Sequence, residues 1–185
     1  MSFSWLASSF NYYMVVFLLK YFPGNVYVNS AVSSLSECAA CVLAGYIYAK
    51  FGVKKAFISQ YGLSVIGGIG IIIYEIAVKF YSGDSTAKAN GWLFPTLVLF
   101  AKFGISAAFT LNYICMADLF PVLFASSAFG FCNFLARVFT IFAPQVAEIQ
   151  SLLPMIIFSV FSAIAMVTSG FVKVLNPSSA GKRAD

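Results

Sequence analysis

The chain has 185 residues, 61% hydrophobic and only 9% charged, with a mean hydropathy of +0.92; soluble domains carry roughly 25% charged residues, so a soluble globular domain is excluded. The net charge of +5 is the balance of 11 basic and 6 acidic residues, and the basic ones are dispersed over loops, apolar stretches and tail rather than gathered on one face, which argues against a nucleic-acid partner. A crossing of the bilayer takes about 20 apolar residues, so six crossings fit this length and twelve do not.

In chain order, apolar runs bounded by Pro, Gly and charge predict helices over about 3–21, 26–49, 55–80, 91–117, 121–143 and 152–174. Phe22-Pro23-Gly24-Asn25 predicts a turn after the first, and Lys50-Phe51-Gly52-Val53-Lys54-Lys55 a basic turn between the second and third. Residues 82–90 form the most polar connection, and Pro121 and Pro144 bracket the fifth run. The fold expected is an all-α, multi-pass bundle of six transmembrane helices over residues 1–175, with a tail over 176–185. One side holds Lys50, Lys54, Lys55, Lys173, Lys182 and Arg183, the other only Lys20, Lys79 and Lys88. The excess of positive charge on the cytoplasmic side then places both termini and the tail in the cytoplasm. The first long apolar run is followed by more of the same rather than by a cleavage site, so it reads as a span and not as a signal peptide.

Small residues recur at helix-contact spacing: Ala40 with Ala44, Gly45 with Ala49, Gly104 with Ala108, and the run Gly67-Gly68-Ile69-Gly70. In lipid such residues let backbones approach closely, so they read as packing surfaces. Glu37, Lys102 and Arg137 lie well inside apolar runs, where an ion costs at least ~2.5–3.5 kcal/mol on insertion scales. Each is expected to face protein or water. One acid cannot compensate two bases, so a Glu37–Lys102 pair leaves Arg137 able to meet an anionic ligand; interhelical glue involving Asp118 or backbone carbonyls is the plainer alternative. Glu75 and Lys79 sit near a span end, where Lys can reach the interface, and Glu148 sits in a short loop. Phe10-Asn11-Tyr12-Tyr13 in the first run, and Phe109, Asn112 and Tyr113 in the fourth, combine aromatic faces with polar tips able to line a wet cavity.

Cys38, Cys41, Cys115 and Cys132 all lie in apolar stretches and there is no histidine, so neither a disulfide scaffold nor a mixed metal site is expected. Cys38-Ala39-Ala40-Cys41 lacks the strand pattern of a redox motif and reads as two small buried hydrophobes. The glycines do not follow G-x-G-x-x-G after a strand, and no Ser/His/Asp, Cys/His or paired-carboxylate set can be assembled. An enzyme is therefore not expected, and no cofactor or metal is called for.

Residues 45–54, Gly45-Tyr46-Ile47-Tyr48-Ala49-Lys50-Phe51-Gly52-Val53-Lys54, resemble the major facilitator loop pattern G-x-x-x-D-[RK]-x-G-R-[RK]: Gly45, Lys50, Gly52 and Lys54 match, while Ala49 and Val53 depart. The stretch 101–121, AKFGISAAFTLNYICMADLFP, looks like the tenth span of organic cation and anion transporters, which ends in an acidic-Leu-aromatic-Pro motif; NFLARVFTIFAP, 133–144, looks like the eleventh. With the paired tyrosines, similar to the seventh span, the matches run in order along nearly the whole chain. It thus resembles the C-terminal six-helix half of an organic ion transporter of the major facilitator superfamily.

The resemblance implies that Tyr12, Tyr13 and Phe109 line the central cavity, and that Glu37 and Lys102 are its acidic and basic positions. Arg137 stands where anion- and carnitine-type members often carry arginine, which implies a carboxylate-bearing or zwitterionic substrate. Glu37, Lys102, Asp118, Lys50 and Lys54 fall at charge-relay or gating positions, while Ala49 and Ala125 replace two members of the inner charge network. The implied function is transport of small organic ions by alternating access across the plasma membrane or an organelle membrane, with the lipid bilayer and a second six-helix half as partners. Such carriers bind substrate between two halves that rock against each other, so the chain is expected to be a fragment, to pair with another six-helix unit, or to serve as a non-transporting membrane scaffold.

Overall fold

The computed structural model describes residues 2–19, 26–82, 93–119, 122–149 and 152–171. It is all helical over these residues: α1 (Ser2–Leu18), α2 (Val26–Ser82), α3 (Leu93–Leu119), α4 (Val122–Thr140), the short α5 (Ala143–Ala147) and α6 (Leu153–Gly170). Lys20, Lys88, Lys173, Lys182, Arg183, Pro121, the turn at 22–25 and the tail at 176–185 lie outside the described residues, as do the side chains of Lys79 and Asp118.

The second and third predicted spans form the two arms of α2, which meet at Gly52 inside the predicted basic turn, where the dihedrals leave the helical region at φ 77 and ψ 173. This conformation is open to glycine and costly for any residue with a Cβ. The fifth predicted span is interrupted after Thr140, where a turn leads into α5 with Pro144 in its first turn; a proline has no N–H to continue the preceding helix. Among the described residues, four helices are long and apolar enough to cross a membrane, covering Ser33–Ala77, Thr96–Ala117, Leu123–Ala147 and Leu153–Gly170. The 17 residues of α1 fall just short of that length.

The chain reverses at Gly52. Lys102 of α3 meets Ser33 and Glu37, from the arm 26–51, while Ala101 meets Gly67 and Gly104 meets Gln60 and Ser64, from the arm 53–82. In a straight helix Glu37 and Gly67 would stand about 45 Å apart at 1.5 Å per residue, yet both lie against one turn of α3. The first arm therefore runs parallel to α3 and the second antiparallel. The second contact is made by backbones: a Cβ on Gly67 would lie 2.7 Å from the Ala101 Cα, and one on Gly104 2.6 Å from the Ser64 nitrogen. The small-residue spacing at Gly67, Gly68 and Gly104 is thus a helix contact, whereas Gly45 has nothing within 4 Å.

A buried polar seam ties α1 to its neighbours. Asn112 Nδ2 donates to Ser8 Oγ at 2.8 Å, Ser4 Oγ donates to Asn112 Oδ1 at 3.1 Å, and the Tyr61 hydroxyl donates to the Ser4 carbonyl at 3.0 Å. Further along α1, Asn11 Nδ2 donates to the Phe158 carbonyl at 3.1 Å and to Ser162 Oγ at 3.0 Å. Both asparagines are fully buried, because a polar group in hydrocarbon must find its partner inside the bundle. They join helices rather than line a cavity, which corrects the grouping of Asn11 and Asn112 with the aromatic cavity residues.

Candidate functional site

The site is carried by α1, the first arm of α2, α3 and α4. Tyr12 and Tyr13 are consecutive on α1, so their side chains leave the helix about 100° apart and reach different neighbours. The Tyr12 hydroxyl donates to Glu37 Oε1 at 2.6 Å, and the Tyr13 hydroxyl accepts from Arg137 Nη1 at 2.6 Å. On α3, Lys102, Phe109 and Tyr113 are spaced to share one face. Phe109 lies flat against Tyr12, with ring centroids 5.3 Å apart and 11° between planes, and meets Tyr113 edge-on at 5.2 Å. Tyr13 stands perpendicular to Tyr12 at 5.3 Å.

The charges are unequally treated. Lys102 is 4% exposed; its ammonium lies 3.8 Å from Glu37 Oε2, donates to Ser33 Oγ, and sits 6.0 Å from the centre of the Tyr12 ring. The Glu37 side chain is 31% exposed, so the pair presents its carboxylate outward and its ammonium inward. Arg137, in the last turn of α4, is exposed; its guanidinium lies over the Tyr13 ring at 5.2 Å. Among the described residues Arg137 has no carboxylate partner. The face therefore combines a neutralised pair, an aromatic floor and one cation held in place by a phenol, a set that can stack a flat group and bind an anion.

Below this face the aromatics continue inward. Trp5 is completely buried, its ring centroid 4.7 Å from that of Tyr113 and 5.2 Å from that of Phe129, and it packs with Met116, Cys132 and Ala136 where α1, α3 and α4 meet. Cys41, one turn beyond Glu37, lies with its sulfur 3.1 Å from Thr110 Oγ1, and all four cysteines are free thiols. A cavity of about 290 Å³ opens between the two arms of α2 and α3, lined by Ser36, Leu63, Thr96, Leu99, Phe100 and Phe103. None of the candidate substrate residues lines it.

The structure thus brings together Tyr12, Tyr13, Phe109, Arg137, Glu37 and Lys102. Lys50 and Lys54 are exposed at the Gly52 turn, away from this group. The sequence reading missed Ser33 and Trp5. Ser33 had a signal, standing four residues before Glu37 and hence on its face; Trp5 had none, since an aromatic residue in an apolar run is ordinary.

No protein-family model matches the chain. It is 30% identical over 173 residues to solute carrier family 22 member 15 of Xenopus tropicalis, covering 94% of this chain and 32% of that protein. It is 26% identical over 181 residues to solute carrier family 22 member 13 of Homo sapiens, covering 96% and 30%. Solute carrier family 22 member 4 of Mus musculus is 26% identical over 180 residues, covering 96% and 30%. The chain spans about a third of the length of these relatives. It is homologous to these solute carrier family 22 proteins over that third, and over the described residues it forms an all-helical, multi-span membrane-type bundle. Solute carriers of this family are not enzymes, in keeping with the absence of a catalytic set in the sequence.

Proposed function

We propose that the chain acts as the C-terminal six-helix half of a major facilitator carrier that moves small organic ions, carboxylate-bearing or zwitterionic, by alternating access. In this reading each arm of α2 is one crossing, so that α1, the two arms, α3, α4 with α5, and α6 make six. Both termini lie in the cytoplasm and the membrane is the plasma membrane or that of an organelle. Tyr12, Tyr13 and Phe109 stack on the substrate, Arg137 contacts its negative group, and the Glu37–Lys102 pair is broken and remade as the half rocks against a second six-helix half. Lys50, Lys54 and Asp118 make no substrate contact in this scheme and act at the inner end. The observation that carries it is the exposed guanidinium of Arg137, held by Tyr13 beside the aromatic floor with no carboxylate partner among the described residues.

The test is uptake into vesicles by the full-length product of the gene, with an organic anion and an organic cation in parallel, for wild type and Arg137→Ala. Loss of anion uptake with cation handling unchanged supports the assignment. Unchanged anion uptake removes Arg137 from the site. A non-transporting scaffold is the second reading, favoured by the exposed Ala49 where the loop pattern carries an acid; it predicts no uptake of either ion under any condition.

A further inference from the structure

The Gly52 turn carries a charged surface that makes no substrate contact in the transport scheme. Lys50, Lys54 and Lys55 are all exposed there, and no acidic residue stands anywhere between Glu37 and Glu75. Among the described residues none of the three pairs with a carboxylate. Exposed aromatic rings accompany them: the Lys50 ammonium lies 5.8 Å from the centre of the Tyr46 ring and 5.7 Å from that of Phe51.

With each arm of α2 read as one crossing, as proposed above, the turn stands at the membrane interface. The arms on either side of Gly52 are long enough, at 1.5 Å per residue, to traverse a hydrocarbon layer of about 30 Å, which leaves the turn at headgroup level, where aromatic rings and lysines gather. The adjoining surface of the first arm is low: Ala49 is exposed, and a Cβ on Gly45 would meet nothing within 4 Å. The upper carbons of an acyl chain can lie along this lane beside Tyr46 while the headgroup meets the lysines.

We propose that the Gly52 turn binds an anionic phospholipid, with Lys50, Lys54 and Lys55 on its phosphate and headgroup charge and the Gly45–Ala49 lane under its acyl chain. The occupant is a lipid rather than a soluble anion because the charged and apolar parts of the surface are contiguous and sit at the bilayer boundary. The inference needs only a membrane-spanning α2 and is independent of any transport activity.

The full chain, purified in mild detergent, is equilibrated with equimolar phosphatidylserine and phosphatidylcholine of matched acyl chains, and retained lipid is measured by mass spectrometry. A basic residue near an anionic surface is worth about fivefold in binding. Preferential retention of phosphatidylserine is therefore expected, reduced about fivefold by Lys54→Gln and tenfold or more by the triple change of Lys50, Lys54 and Lys55 to Gln. The triple change to Arg keeps the preference, and Ala49→Trp, which fills the lane, lowers it with all lysines present. Equal retention of the two lipids by wild type, a preference that survives the triple Gln variant, or displacement by soluble glycerophosphoserine as effective as by the lipid overturns the proposal. A circular-dichroism spectrum unchanged by Lys54→Gln shows that its loss is not one of folding.

Discussion

The buried charge pair offers the sharpest test of how this bundle tolerates ions. At 3.8 Å the Coulomb attraction between Glu37 and Lys102 is about 4 kcal/mol for an effective dielectric of about 20. The measured coupling should be smaller, about 1–2 kcal/mol, because Ser33 also holds the ammonium, Tyr12 also holds the carboxylate, and solvent reaches Glu37. The two single changes should not cost the same. Glu37→Gln keeps an acceptor for Tyr12 but leaves the deeply buried Lys102 without its counter-ion, an expected loss of about 2–3 kcal/mol. Lys102→Met keeps the volume and leaves a half-exposed carboxylate that water can solvate, an expected loss of about 1 kcal/mol. The double variant should then be more stable than the sum of the singles predicts. Equilibrium unfolding of the full chain in mixed micelles measures all three. A coupling below about 0.3 kcal/mol, or a larger loss for Lys102→Met than for Glu37→Gln, would refute the reasoning from burial.

Three further outcomes follow from the packing. Gly104→Ala forces a Cβ to within 2.6 Å of the Ser64 backbone and should lower stability by about 1–3 kcal/mol, whereas Gly45→Ala, which meets nothing within 4 Å, should be neutral or stabilising by about 0.5–1 kcal/mol; thermal midpoints in detergent distinguish them. Asn112→Leu removes bonds to Ser4, Ser8 and the Ala108 carbonyl and should cost about 0.6–1.7 kcal/mol, the range for interhelical hydrogen bonds in membranes, read from the same unfolding curves. Gly52→Ala places a Cβ at φ 77 and should cost about 1–3 kcal/mol; a pair of cysteines replacing Ser36 and Leu63, which line one cavity, should cross-link more slowly in that background.

Much of this molecule is legible in the sequence because hydrocarbon restricts what the chain can do. Apolar runs of sufficient length have few alternatives to helix, and charges inside them must turn toward protein or water, which is why Glu37, Lys102 and Arg137 stand out in the sequence. The partners were less legible. Phe10, Asn11, Tyr12 and Tyr13 read as one polar-aromatic cluster, but successive residues diverge around a helix, so Asn11 enters the seam with α6 while Tyr12 and Tyr13 reach α2 and α4. The break at Lys50–Lys55 is legible from its charges and glycine, and the structure narrows it to the single residue Gly52. The crossing of α3 with the second arm was likewise foreshadowed by the glycines at 67 and 104.

The single-residue fold at Gly52 also governs how the bundle can deform. Helical hydrogen bonding resumes on both sides, so the hairpin has no slack chain to pay out, and sliding one arm past the other by a helical turn, about 5.4 Å, exceeds what two dihedrals can absorb. Pivoting remains open. A displacement of Glu37 must therefore reach the surface shared with α3 and α6 as a tilt about one point, which makes α2 a lever rather than a piston.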